Sequence, residues 1–118
     1  MRPRMSDAYY LIMTNTKTTF HKPYFVTRFD SEVLEFAIFT PSPRNTDEGD
    51  LVIGFRSGRC YVYSEVSAGN YIGLIMADSA GKYFNANVRN LPSHESDILK
   101  DSAKNFADLI IPPTMVAV

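Results

Sequence analysis

A chain of 118 residues with a formal net charge of −1 has the length of one globular domain, and it lacks the positive charge that would draw the whole molecule to nucleic acid or to a membrane. Its single cysteine, Cys60, excludes an intrachain disulfide and any zinc site that needs several cysteines. We therefore expect residues 1–118 to form one soluble, cytoplasmic domain in which any anion binding comes from a local group of basic side chains.

Short strands are predicted in the N-terminal third, because β-forming and apolar residues are clustered there. The predicted strands are residues 8–13, 24–27 and 33–39. The threonine-rich segment 14–19 between them predicts either a loop or a solvated edge strand. Residues 40–50 contain two prolines and many polar side chains, so we interpret them as a solvated connection that is longer than a hairpin requires.

The clearest hairpin joins residues 51–55 to residues 59–63, and two turn geometries are chemically allowed. A two-residue turn at Ser57-Gly58 would set Phe55 opposite Cys60. Both tyrosines of the second strand would then lie on the face away from the core.

A type I turn at Arg56-Ser57, followed by a bulge at Gly58, would instead set Phe55 opposite Arg59. Because side chains two apart share a face, Tyr61 and Tyr63 would then join the core face. The sequence does not distinguish the two registers.

Three helices are predicted after the hairpin. Ser67 is a plausible N-cap for the first, which is weakened by two glycines; Gly73 is expected to permit close approach to the sheet. The second spans residues 82–89, with Phe84 and Val88 inward. The third runs from about Ser93 to Ile110 and has Ser93 or Ser96 as its cap. Its apolar stripe is Leu99, Ala103, Phe106 and Ile110.

These elements predict an α+β fold. We expect a small antiparallel sheet of four or five strands with two or three helices packed on one face.

Several short motifs occur in a fixed order. They are the apolar strand at 33–39, Phe55-Arg56-Ser57-Gly58-Arg59, Tyr61-Val62-Tyr63 with Val66 behind it, a helix containing Tyr71 and Leu74, and Gly81-Lys82-Tyr83-Phe84-Asn85 with Arg89 close behind. In this order, the segment from about Glu32 to Asn90 resembles the KTSC domain, which is named for the C-terminus of some lysyl-tRNA synthetases. Its connection at 40–50 is longer than the family's usual one, and the helix start at Ser67 lacks the proline often found there.

The resemblance implies a KTSC-like core at about 32–90, with an N-terminal strand extension at 8–29 and a C-terminal helix extension at 93–118. The family occurs as small single proteins, often bacterial or phage-borne, and as the synthetase appendage. RNA binding is the role that the appendage suggests.

The hairpin provides the first candidate binding site: Arg56, Arg59, Tyr61 and Tyr63. Single-stranded bases stack on aromatic rings, and arginine binds phosphate. The alternative interpretation is that the tyrosines pack in the core and the arginines are merely solvated.

Lys82, Asn85 and Arg89 form a second candidate, because spacings of three and four place them on one face of a helix. Between residues 50 and 90 four arginines and lysines face three carboxylates, a net charge of only +1. A solvated helix face is therefore the alternative interpretation.

No combination of residues predicts catalysis. Cys60 reads as a buried, inert thiol, and His21 and His94 are isolated from other metal ligands, so we expect neither an enzyme nor a metal or cofactor site. We expect a binding module, monomeric or homodimeric, for RNA or single-stranded nucleic acid. The alternative hypothesis is a phage-type inhibitor that binds a host enzyme or defence complex. The third hypothesis is a small-nucleotide-binding protein.

Overall fold

The computed structural model describes residues 16–113, so the strand predicted at 8–13 lies outside the described residues. Within that range, six strands form one antiparallel sheet, and each strand pairs with its neighbour in the chain. They are β1 (Lys17–His21), β2 (Tyr24–Arg28), β3 (Leu34–Pro41), β4 (Glu48–Phe55), β5 (Cys60–Ser67) and β6 (Ser93–Glu95). The sheet thus has more strands than the predicted four or five, because β6 adds a short edge strand that was predicted as helix.

Three helices complete the α+β fold in the described part of the chain: α1 (Ala68–Met76), α2 (Ala80–Asn87) and α3 (Asp97–Ile110). Each begins after a serine whose hydroxyl accepts a backbone N–H of the first turn. Ser96, one of the two predicted caps, is the N-cap of α3, so the last helix begins at Asp97 rather than at about Ser93. Among residues 16–113, no helix combines the length and apolar character needed to cross a membrane.

The helices pack on both faces of the sheet, which corrects the prediction of helices on one face. Along β3, Ala37 and Phe39 point toward α1 and α2, whereas Phe36 and Ile38 point toward α3. This alternation follows from the two-residue period of a strand, and it divides the core into two clusters. The nearly all-apolar β3 is therefore covered on both sides.

The β4–β5 hairpin adopts the second of the two predicted registers. Gly54 pairs with Cys60, and the backbone N–H of Phe55 donates to the carbonyl of Arg59 at 2.9 Å. Gly58 has φ +96°, which is the left-handed conformation that a bulged glycine supplies. Tyr61 therefore lies on the face of the sheet that packs against α1 and α2.

A buried arginine, which was not predicted from the sequence, attaches α3 to the sheet. Arg28 is 1 % exposed; its Nε donates to the Ile111 carbonyl at 2.7 Å, and its Nη2 donates to the Asp108 carboxylate. Glu35 lies 3.6 Å from Nη1 and accepts a 2.9 Å hydrogen bond from Lys104. The second core cluster is thus closed by a network of four charged groups.

Candidate functional site

A concave surface of about 400 Å³ lies between the β4–β5 hairpin, the end of α2 and β6, and we call it the hairpin groove. Five of the seven predicted site residues line it: Arg59, Tyr61, Tyr63, Asn85 and Arg89. The structure thus brings together residues from both predicted candidates. The lining also includes Phe55, Phe84 and Ser93, which the sequence interpretation did not assign to a site.

Aromatic rings form the floor of the hairpin groove. Phe55 meets Tyr61 edge to face with 5.7 Å between centroids, and it meets Phe84 in the same way at 5.4 Å. Both Phe55 and Tyr61 are half-buried, so each keeps part of its ring accessible. Tyr63 is only 3 % exposed and packs against Phe84 at 6.1 Å. One tyrosine can therefore contact a ligand, and the other supports the floor.

Opposing effects act on the pKa of the Tyr63 hydroxyl. Burial raises the pKa of Tyr63, while a hydrogen bond with Ser93 and the positive charge of Arg89 act in the opposite direction. Ser93 is the β6 residue paired with Tyr63. The short strand β6 thus completes the groove by holding the buried phenol.

Two arginines stand at the rim. Arg59 is exposed, and its Nε lies 3.8 Å from the Glu95 carboxylate, a surface ion pair that contributes little and can open readily. Arg89 follows the end of α2, where its backbone N–H donates to the Phe84 carbonyl at 2.8 Å. Among the described residues, no carboxylate lines the groove. The residues that line the groove therefore carry a net positive charge, although the chain as a whole does not.

The structure directs Arg56 and Lys82 elsewhere. The guanidinium of Arg56 donates to the carbonyls of Ser31 and Phe29 at 2.9 and 3.0 Å, so it ties the hairpin to the β2–β3 connection. Lys82 lines a neighbouring depression, and of the predicted site residues only Asn85 borders both surfaces. That depression carries three carboxylates: Asp30, Glu32 and Asp78. The hairpin groove accordingly does not include these two basic residues.

The remaining candidates contribute no site. Cys60 is buried toward α3, and burial raises the pKa of its thiol, which disfavours the nucleophilic thiolate. His21 packs edge to face on Phe106 with 5.7 Å between ring centroids. Within residues 16–113, no group of three histidine, cysteine or acidic side chains is placed to hold a metal ion.

Comparison with known proteins identifies the segment that contributes most of the groove. Residues 45–91 match the family model of the KTSC domain. This segment contains the hairpin, α1 and α2, and with them every predicted site residue. The match begins later than the expected start at about residue 32, so the strand at 33–39 lies outside it. No curated protein matches the chain.

Proposed function

We propose that the hairpin groove is a ligand site and binds single-stranded nucleic acid, because residues 45–91 match the family model of the KTSC domain and contribute most of the residues that line the groove. One observation carries the proposal. Arg59 and Arg89 converge on an aromatic floor with no carboxylate among the described lining residues. This arrangement suits a ligand that is both aromatic and anionic.

The chemistry of a nucleotide matches each part of the groove. A base stacked on an aromatic side chain contributes about 1–3 kcal/mol, and Tyr61 and Phe55 offer partly accessible rings. Arginine forms paired hydrogen bonds to phosphate oxygens, and both guanidinium groups lie beside the rings. The amide of Asn85 can both donate to and accept from the edge of a base. The groove thus offers stacking, phosphate binding and edge contacts together.

The size of the groove favours an unpaired nucleotide. A volume of about 400 Å³ lies at the lower end of the range of small-ligand sites. A base in a duplex is stacked on its neighbours and cannot enter such a concavity, whereas a base in a single strand can turn outward. We therefore expect single strands to bind and duplexes of the same sequence to bind much more weakly.

The test is fluorescence anisotropy with labelled single-stranded RNA and DNA of about 12 nucleotides. Two phosphate contacts predict a fall in log affinity of about 1.4 per tenfold increase in salt, because each contact releases about 0.7 of a counterion from a single strand. Tyr61→Ala should weaken binding about 5- to 150-fold through lost stacking. If adding the protein changes the anisotropy of neither labelled polymer, the proposal is wrong.

A free nucleotide is the other ligand that the same groove would accept. Adenosine monophosphate should displace the labelled oligonucleotide only at concentrations well above the oligonucleotide's own, since a polymer adds backbone contacts outside the groove. If the mononucleotide binds as tightly as the oligonucleotide, the small-nucleotide function is the correct one.

A protein partner is the second candidate function, and the outer face of α3 favours it. Ile98 and Leu109 are 89 % and 76 % exposed, and they lie eleven residues apart, which is about three helical turns on one face. Capture from a nuclease-treated bacterial lysate tests this candidate. A single partner retained by the wild type and lost by an I98D/L109D variant would support it; equal capture by both would exclude this face.

A further inference from the structure

A second concavity, of about 680 Å³, lies at the other end of the sheet, and we call it the apolar pocket. It is enclosed by the β1–β2 hairpin, the loop at 42–47 and α1. It shares no described lining residue with the hairpin groove. Its volume lies in the range of sites for small organic molecules. A ligand here would be independent of the proposed nucleic-acid function.

Two aromatic rings form the floor of the apolar pocket, and the Tyr71 hydroxyl on this floor is already hydrogen-bonded within the protein. Phe39 and Tyr71 stack with 4.9 Å between centroids and an interplanar angle of 10°. The Tyr71 hydroxyl lies 2.5 Å from the hydroxyl of Thr27 and is thereby held toward the sheet. Phe20 and Ile72 stand on opposite walls and remain 56 % and 49 % exposed. An apolar ligand would cover both side chains.

The polar groups of the walls are few. Pro23, Pro41 and Pro43 have no backbone N–H, so the walls offer few donors to a bound main chain. An extended peptide would bury N–H and C=O groups without partners, which is unfavourable. A hydrocarbon chain has no such groups, and its transfer onto an apolar surface is favourable at every methylene. The lining therefore favours a hydrocarbon over an extended peptide.

The charge at the rim of the apolar pocket then indicates which head group such a ligand would carry. Lys22, at the β1–β2 turn, is the one charged residue in the described lining, and its side chain is exposed. We propose that the apolar pocket binds an amphiphile with an unbranched hydrocarbon chain and a carboxylate head. The chain lies on Phe39 and Tyr71, and the head lies beside Lys22.

Calorimetry with octanoate, decanoate and dodecanoate, each below its micelle concentration, tests the hydrocarbon site. Burial of each methylene tightens binding about fourfold, so each two-carbon step should lower Kd about 15-fold. No measurable dodecanoate binding, or affinities that do not change with chain length, would overturn the proposal. The proposal would also be overturned if the protein forms dimers without dodecanoate and Ile72→Asp dissociates them, because the pocket would then be an interface with a second copy of the chain.

Two matched pairs of variants locate the site. Ile72→Asp places a carboxylate in the pocket and should weaken dodecanoate binding at least tenfold, whereas Ile98→Asp on α3 should leave it unchanged. Lys22→Gln should weaken dodecanoate binding about two- to fivefold and leave dodecanol binding unchanged, and Lys100→Gln should alter neither. Equal effects within either pair would overturn the assignment.

Discussion

Phe55 and Arg59 are directly paired across the tip of the β4–β5 hairpin, with the Phe55 N–H donating to the Arg59 carbonyl at 2.9 Å. This pair sets the register of the two strands. It places Tyr61 opposite Ile53 and Tyr63 opposite Leu51, on the face covered by α1 and α2. The aromatic floor of the hairpin groove follows from this one backbone contact.

The turn that closes this pair depends on Gly58. Its φ of +96° disfavours any residue with a Cβ, although nothing lies within 4 Å of a Cβ built there. Gly58→Ala should therefore lower the free energy of unfolding by about 1–2 kcal/mol through backbone strain alone. Urea denaturation measures this change. An unchanged midpoint would show that the turn relaxes without loss.

A second glycine is required by packing. A Cβ on Gly73 would overlap the ring of Tyr83, whose hydroxyl donates to the Asn70 side chain at 3.1 Å. Gly73→Ala should destabilise the protein by about 1–3 kcal/mol in thermal or urea unfolding. In a Tyr83→Ala background the same change should cost nothing, because the obstruction is gone.

Gly69 is the matched control on the same helix. The nearest atom to a Cβ built at Gly69 is the Ser67 hydroxyl at 3.9 Å. Gly69→Ala should therefore stabilise the protein, by up to about 1 kcal/mol, through helix propensity. Equal effects of the two substitutions would contradict this account of how α1 meets α2.

The buried network around Arg28 predicts a large loss of stability when it is broken. Arg28→Met keeps the length of the side chain but leaves Asp108 and Glu35 without their buried cation, so we expect a loss of about 3 kcal/mol. Arg44→Met changes the same charge on an exposed loop and should stay within about 0.5 kcal/mol of the wild type. Urea midpoints compare the two. An Arg28→Met protein as stable as the wild type would mean that the network gives no net stabilisation.

Three raised pKa values predict loss of stability in alkali. Burial raises the pKa of Cys60 and of Tyr63, and the hydrogen bond to Glu35 raises that of Lys104. Each group holds its proton more tightly when folded, so the unfolded state releases protons first as pH rises, and the free energy of unfolding falls. The contribution is complete below about pH 8 and is lost progressively above the unfolded pKa values of about 8.5 to 10.4.

Thermal melts from about pH 7 to about pH 11 follow this loss. Cys60→Ala should remove the part of the fall that begins near the thiol's ordinary pKa, and Lys104→Met should remove part of the fall above about pH 10. A Tm that stays constant across this range would contradict the raised pKa values.

Local chemistry made several features predictable. A serine before a helical pattern correctly indicated the cap at Ser67, and helical spacing correctly placed Phe84 and Val88 inward. The hairpin register was not predictable, because both turns satisfy the sequence and only packing chooses between them. The approach of Gly73 was expected toward the sheet, but its neighbour is Tyr83 on α2. Contacts between distant segments leave little trace in a local pattern.

The face of the sheet that α3 covers was predicted wrongly for the same reason. An amphipathic helix shows that one side is buried, but it does not show which face of the sheet it covers. A nearly all-apolar β3 was the available signal, because a strand with two apolar faces needs cover on both. The buried Arg28 gave no signal, since an arginine in a short strand is ordinarily exposed. Within the site, Phe55 joined the groove only because the register set it beside Tyr61.

The binding of a labelled single-stranded RNA to Arg59→Gln and Arg89→Gln, compared with Arg44→Gln, tests the central claim most directly. All three substitutions remove one exposed positive charge, but only the first two lie at the hairpin groove. We predict that each groove variant binds at least fivefold more weakly and loses about 0.7 of the salt slope, whereas Arg44→Gln matches the wild type. Equal losses in all three would show general attraction to charge and would contradict a site in the groove.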